Sequence, residues 1–499
     1  MQLPVRPVIA GFHPDPSLCR VGEDYYLVCS SFEYAPGVPL YHSTDLRSWQ
    51  QLGHVLDRPS QLSVVGAASS GGVYAPTLRY HDGRCYLITT NTSDRSGQFL
   101  VTAENPAGPW SDPVWVPNAL GIDPDLAWDD DGTCYLTWSA LSTAGHDGIV
   151  QAVLDPVTGA LLSECHPLWR GTGGKFPEAP HLYHIGKYWY LMIAEGGTER
   201  GHAVTIARGP SPAGPFEPSP RNPLVTARGT DSPVQNTGHA DLVERPDGRW
   251  AMVYLGIRPR GYTPQWHVLG RETFASEMAW SDDGWPALAE PIEPAASDTF
   301  FEQLAGPGLP PSWVAPGGFP EDVLQPLDGG GWRLSAGSGA PTFAGRRQEH
   351  LAIRAQASIA AGHGAGGLEL RIDPRHAVSL EVADGRVRAV AGSVRCAPRS
   401  ASSLPVRTSS WSCGPSLASS SRSPASRWGR TNSSRASCGP TASRRSGAST
   451  GATSRPRSPA ASPAAWSGCT APAGTSTSGR SATPAPTTST LTDYSAAVN

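Results

Sequence analysis

Short runs of alternating apolar and polar residues, each opened by a glycine and rich in Tyr or Trp, recur five times in the first half of the chain. They begin at Gly22 (Gly22-Glu23-Asp24-Tyr25-Tyr26-Leu27), Gly83, Gly132, Gly186 (Gly186-Lys187-Tyr188-Trp189-Tyr190) and Gly248, at spacings of 61, 49, 54 and 62 residues. A period of two bounded by turn residues predicts short antiparallel strands. Seven to nine residues before each run stands a polar phrase: His13-Pro14-Asp15-Pro16-Ser17, Tyr74-Ala75-Pro76, Gly121-Ile122-Asp123-Pro124, Pro177-Glu178-Ala179-Pro180-His181 and Gly238-His239-Ala240-Asp241. Repeats of about 50 to 60 residues suit four-stranded blades joined by long loops. The pattern predicts an all-β fold with a five-bladed β-propeller over residues 1–296, and the constant offset brings all five phrases to one end of one axis. A two-sheet sandwich would give no reason for five equal offsets.

The texture changes after residue 296. Alternation in Trp332-Arg333-Leu334, His350-Leu351-Ala352-Ile353-Arg354 and Gly367-Leu368-Glu369-Leu370-Arg371 predicts an incomplete β-sandwich over residues 297–396. From 397 to 499 a low-complexity tail of Ser, Ala, Thr, Pro, Gly and Arg takes over, with 11 Arg, no Lys and a single acid, Asp493. Its composition permits disorder. A sandwich that stops after a few strands cannot close its core, however, and residues with GC-rich codons dominate the tail, so translation out of frame is the favoured reading.

Composition narrows the function. The chain has 499 residues, 16% charged, with 16 Trp, 14 Tyr, 55 Gly and 49 Pro, which suits many strands and turns. A formal charge of −4 gives no basis for binding nucleic acid or an anionic membrane. Residues 1–7 lack an apolar segment after a basic start, and no run of about 18 apolar residues occurs, so a cytoplasmic location is expected. The nine cysteines form no C-x-x-C pair and read as reduced core thiols. No feature of the chain specifies a subunit interface. A small neutral ligand fits this surface better than a polyanion.

Three candidate carboxyls stand at matched positions in these phrases: Asp15, Asp123 and Glu178. Each stands beside proline, which stiffens the turn that presents it. Glycoside hydrolysis needs two carboxyls in different protonation states, one giving a proton to the leaving oxygen and the other activating water or attacking carbon. A single Asp-Pro is usually a turn; three at matched positions point to chemistry. Asp125 is an alternate two residues from Asp123, whereas Asp129-Asp130-Asp131-Gly132 reads as a solvated turn.

The phrases Gly11-Phe12-His13-Pro14-Asp15-Pro16-Ser17, Ser31-Phe32-Glu33-Tyr34-Ala35-Pro36-Gly37-Val38-Pro39, Gly121-Ile122-Asp123-Pro124 and Leu269-Gly270-Arg271-Glu272-Thr273 resemble glycoside hydrolase family 43, especially its β-xylosidases. The resemblance spans residues 1–296, and the segment from Phe343 to residue 396 is similar to the family's C-terminal sandwich. It implies that Asp15 is the general base, Glu178 the general acid, and Asp123 the group that positions Glu178 and tunes its pKa. It further implies inversion at the anomeric carbon, with the Asp15 and Glu178 carboxyls roughly 6.5–9.5 Å apart. An ionised Asp123 would raise the proton affinity of Glu178.

Arg271 matches the family's arginine that grips sugar hydroxyls, with Arg258 as an alternate in a shifted register. His239 matches the histidine beneath the sugar, which in many relatives touches a hydrated calcium; a lone histidine does not itself specify calcium, and no cofactor is required. Phe32 and Tyr74 resemble aromatics lining the sugar subsite. Three departures stand out: Tyr74 where relatives often carry Trp, and Ala179 and Ala240 where Gly is common. The expected activity is an exo-acting, inverting β-xylosidase releasing D-xylose from short xylo-oligosaccharides. The alternatives are an α-L-arabinofuranosidase, a bifunctional enzyme, or a carbohydrate-binding propeller without catalysis.

Overall fold

In a computed structural model the protein is described over residues 3–141, 148–295, 308–336, 342–360, 364–392, 404–405 and 411–413. Five antiparallel sheets follow one another along the chain, each with its strands in sequence order. Blade 1 comprises Ser17–Val21, Asp24–Val28, Gly37–Ser43 and Gln50–Leu56; blade 2 Thr77–His81, Arg84–Thr90, Gln98–Ala103 and Val114–Val116. Blade 3 comprises Ile122–Trp128, Cys134–Ser139, Ile149–Leu154 and His166–Trp169. Blade 4 runs through Glu178–Ile185, Tyr188–Glu195, Ala203–Gly209 and Glu217–Pro218, with Val225–Thr226 also on its third strand. Blade 5 closes the series with Gln235–Glu244, Trp250–Ile257, Glu272–Trp280 and Pro286–Ile292. The five glycine-led runs are the second strands of the five blades, and the polar phrases sit at the entry to the first strands.

Five hydrophobic clusters fill the five contacts between neighbouring blades. Blades 1 and 2 share Val28, Leu40, Leu78 and Leu87; blades 2 and 3 share Ile88, Leu100, Leu126 and Leu136. Leu182, Leu191 and Ile193 pack against Ala127 and Ile149, and Met192 and Val204 against Leu242 and Met252. The ring closes through Leu18, Leu27 and Tyr41 against Val243, Val253 and Ala275, with Val8 and Ile9 joining the same cluster. Hydrogen bonds reinforce that closure, Val8 N donating to Thr273 O at 2.8 Å. Burying a Leu, Ile or Val side chain contributes about 1.5–3 kcal/mol, so each interface is held by apolar packing and the fifth by the same means as the rest.

Second strands are covered on both faces: in Tyr188–Glu195 every residue after the first is buried. Strict alternation therefore gives way there to a nearly continuous apolar run, as strands packed on two sides require. Cys19, Cys29, Cys85 and Cys134 are buried free thiols within these layers.

The first strands carry polar groups to the axis. Arg79 of blade 2 lies 2.8 Å from Asp241 Oδ2 of blade 5 and 2.8 Å from Asp125 Oδ1 of blade 3. The Ser17 hydroxyl of blade 1 donates to Asp241 at 2.7 Å, and Tyr183 of blade 4 donates to its other oxygen at 2.6 Å. His181 of blade 4 lies 2.8 Å from Arg79. This knot divides the axis into two cavities: one at the mouth bearing the polar phrases, the other at the opposite mouth among Trp128, Trp189 and Trp250, with Arg79 in its lining.

Beyond the propeller, Ala315–Pro316 pairs with Tyr34–Ala35 of blade 1, and Val314 bridges Gly345. Gly366–Asp373, His376–Ala383, Arg386–Gly392 and Leu404–Pro405 form a four-stranded sheet. The described residues include a single short helix, Pro320–Val323, and no helix long and apolar enough to cross a membrane. Of the tail expected over 397–499, all but residues 404–405 and 411–413 lies outside the described residues.

Candidate active site

Backbone irregularity aims the site. Register shifts break the first strands between Ile122 and Asp125, between Glu178 and His181, and twice between Gln235 and Ala240. A bulge bends its strand and redirects the side chains around it. Asp15, Phe32, Asp123, Phe176, Ala179 and His239 all adopt positive φ, between 46° and 57°. Residues other than glycine pay for that conformation, and such strain gathers where side chains are held for chemistry.

All seven predicted residues, Asp15, Phe32, Tyr74, Asp123, Glu178, His239 and Arg271, line one cavity of about 130 Å³. Asp15 is buried, accepts the Ser30 hydroxyl at 2.6 Å and meets Arg271 Nη1 at 2.8 Å. His239 Nδ1 lies 3.4 Å from the same Asp15 oxygen. Burial works against ionisation of Asp15, but Arg271, His239, the Ser30 hydroxyl and His202 together outweigh it and hold the carboxyl below its ordinary range. This is the state a base needs. His239 shifts the other way: burial, only partly offset by Asp15, lowers it to about 3, so the ring is neutral.

Asp123 behaves oppositely to Asp15. Burial first, then the charges of Glu178 and Asp15, raise its proton affinity well above the carboxylate range, against the opposing pull of the Ala179 N–H and Arg271. The Ala179 amide donates to Asp123 Oδ2 at 3.1 Å, so the backbone next to Glu178 is tied directly to Asp123. Two buried carboxyls this closely coupled hold a proton between them. The proton affinity of Asp123 is raised in part by the charge of Glu178, so the two carboxyls do not both ionise freely in the unliganded site.

Arg271 also passes 5.6 Å from the centroid of the Phe32 ring, and Phe32 stacks on Phe12 at 5.5 Å and meets Tyr74 at 5.5 Å. Phe32 and Tyr74 give the cavity an apolar wall, with Phe12 stacked on Phe32. Arg258 does not enter the cavity: it forks onto buried Glu272 at 2.7 and 2.8 Å. Asp125 belongs to the axial knot, and Asp129 accepts the Thr133 amide at 3.0 Å within a turn. Among the described residues no three His, Cys, Asp or Glu side chains converge to hold a metal ion. Calcium takes six to eight oxygens, and the one carboxylate beside His239 is already engaged by Arg271 and Ser30, so the donor set does not fit a direct calcium site.

Phe176, Thr198 and Glu199 also line the cavity and were absent from the sequence expectation. The Gly196-Gly197 pair, both at positive φ, marks the turn that delivers Thr198 and Glu199. Phe176 stands two residues before Glu178 and had no polar signature to draw notice.

Residues 4–286 match the model of the glycosyl hydrolases family 43. The chain is 49% identical over 288 residues to a non-reducing end α-L-arabinofuranosidase of Bacteroides ovatus, covering 57% of this chain and 53% of that protein. It is 40% identical over 325 residues to a β-xylosidase of Bacillus subtilis, covering 59% and 60%. The chain thus spans little more than half the length of these curated relatives. Among solved structures, a xylan β-1,4-xylosidase from Bacillus halodurans superposes with a TM-score of 0.72 at 32% identity, over 80% of this chain and 84% of that one. A Bacteroides ovatus family 43 protein from a xyloglucan locus does so at 0.72 and 36%, over 82% and 86%.

Proposed function

The chain belongs to glycosyl hydrolase family 43, and from that membership we propose that it is an exo-acting, inverting β-xylosidase releasing D-xylose from the non-reducing ends of xylo-oligosaccharides. The observation that carries this reading is the division of the pocket's carboxyls. Asp15 is held below the carboxylate range by Arg271, and the buried Asp123–Glu178 pair retains a proton. In this reading Asp15 takes a proton from water as its oxygen attacks the anomeric carbon. Glu178 gives a proton to the departing glycosidic oxygen, leaving the carbon inverted. Asp123 lets Glu178 hold that proton in the substrate complex and fixes the backbone beside it through Ala179. Arg271 steadies Asp15 and stands ready to donate to a sugar hydroxyl, while Phe32 and Tyr74 cover the apolar face of the ring.

A second reading is supported by the Bacteroides relative, whose name is that of an α-L-arabinofuranosidase. Rates on nitrophenyl β-D-xyloside and nitrophenyl α-L-arabinofuranoside discriminate the two. A wide preference for the arabinofuranoside would replace the xyloside assignment. Asp15→Ala and Glu178→Ala should each nearly abolish hydrolysis of the preferred natural linkage with the melting temperature preserved, and full activity in either would remove that residue's role. A carbohydrate-binding propeller without catalysis would show no turnover of either glycoside.

A further inference from the structure

One buried carboxyl of this face lies outside the reaction just described. Glu195 ends the second strand of blade 4, immediately after Ala194, the partner of Glu178 in the register. It is 3% exposed, and among the described residues no cation pairs with it. Instead four donors converge on it: Thr172 N at 3.1 Å, Thr172 Oγ at 2.6 Å, Gly174 N at 2.7 Å and Thr205 Oγ at 2.8 Å. The chain wraps it so closely that a Cβ built on Gly171 or Gly174 would come within 2.8 or 2.7 Å of its Oε2.

The wrapped segment leads straight to the acid. From Gly174 it passes Lys175, whose carbonyl accepts the Gly196 amide at 2.7 Å and whose ammonium reaches Glu199 at 3.0 Å. Phe176 then turns at positive φ, the Ser139 hydroxyl donates to Pro177 O at 2.9 Å, and Ala179 donates to Asp123. Glu178 is therefore suspended between two anchors: Asp123 downstream and the Glu195 nest upstream. Residues 196–199, which follow Glu195 without a break, bring Thr198 and Glu199 into the cavity wall.

We infer that Glu195 is a positioning residue for proton donation: by gathering the backbone of residues 172–174 it sets where Glu178 stands relative to the leaving oxygen. The inference rests on the reading of Glu178 as general acid. It distinguishes itself from mere structural support through the leaving group. A dinitrophenolate departs without a proton, whereas an alkoxide cannot, so a displaced acid injures the alkyl glycoside far more.

The test uses two glycosides of the sugar that the enzyme prefers, one dinitrophenyl and one methyl. Glu195→Gln replaces an acceptor oxygen with an amide whose N–H groups face the donors of residues 172 and 174. Displacement of about 1 Å can cost on the order of 100-fold, so kcat/KM on the methyl glycoside should fall about 10- to 100-fold, and the loss on the dinitrophenyl glycoside should be at least about tenfold smaller. Equal losses on the two substrates, or none, overturn the inference. If Glu195→Gln fails to show a cooperative thermal melt, Thr172→Val removes the 2.6 Å donor and must give the same selective pattern, in smaller degree. Glu178→Ala is the control. Selectivity there but not at Glu195 overturns only the positioning role, and its absence at Glu178 overturns the acid assignment on which that role rests.

Discussion

Arg271 places Nη1 2.8 Å from Oδ1 of Asp15, joining the residue just before the third strand of blade 5 to the phrase that precedes blade 1 across the closure of the ring. The contact holds Asp15 ionised and, through Thr198 at 3.4 Å, reaches the loop that follows Glu195. A cation thereby serves Asp15, the aromatic wall and the closure together.

Loss of that cation should move the acid limb of activity. Asp15 is held below the carboxylate range, so wild-type kcat/KM should persist to lower pH than an unperturbed carboxylate would allow. Arg271→Met removes the strongest force favouring ionisation and leaves burial to act, so the limb should shift to higher pH. A pH profile of kcat/KM checks this, and an unmoved limb would separate Asp15 from the base role. The linked stability has a definite sign. Stabilisation from an acid with a depressed pKa is present above the ordinary carboxylate range and disappears as pH falls through the depressed value.

Asp123 should show the reverse. Its folded-state affinity for a proton is raised by burial, Glu178 and Asp15, so it costs stability once pH rises above the ordinary carboxylate range. Asp123→Asn should raise the stability measured by denaturant unfolding at neutral pH by about 1 kcal/mol, the usual yield of relieving one such strain. The gain should vanish at acidic pH, where both forms are neutral. Activity should fall steeply because the acid loses its partner.

Ala179 sits at φ 52° immediately after Glu178. A left-handed conformation costs an L-residue roughly 1–2 kcal/mol that glycine avoids, while glycine adds about 0.4–1 kcal/mol of unfolded-state freedom. Ala179→Gly should therefore be neutral to stabilising by about 1 kcal/mol, with the Asp123 hydrogen bond retained. Thermal melts and kcat together test it, and marked destabilisation would show that the methyl group packs usefully. Ala240, the other departure from glycine, is not at positive φ and should gain nothing from the same change.

Arg79→Ala would leave Asp125 and Asp241 buried without their cation. Both are fully buried, and an orphaned buried charge costs about 3–5 kcal/mol. Denaturant unfolding should show that loss; a change below about 1 kcal/mol would mean that water or Tyr183 replaces the guanidinium.

Much of this was legible because a propeller writes its repeat in local residues. Tyr26, Tyr86, Trp189 and the glycines before them announce second strands, and a constant lead then locates Asp15, Tyr74, Asp123, Glu178 and His239 without any knowledge of contacts. Asp125 shows where such reading ends. Residues two apart on a regular strand share a face, so Asp123 and Asp125 were indistinguishable until the bulge between Ile122 and Asp125 sent one to the pocket and the other to Arg79. Glu195 was hidden for a different reason. Its four donors come from Thr172, Gly174 and Thr205, and their convergence exists only after blade 4 has paired.

The knot around Arg79 also imposes an order in time. The Arg79 knot separates the pocket from the cavity at the other mouth, so a sugar lying deep beside the carboxyls waits for the portion nearer solvent to leave. The aglycone would then depart first and the monosaccharide last, so the released sugar should compete with fresh substrate for the same end of the site. Traffic through the mouth of the pocket, as well as bond breaking, then bears on turnover.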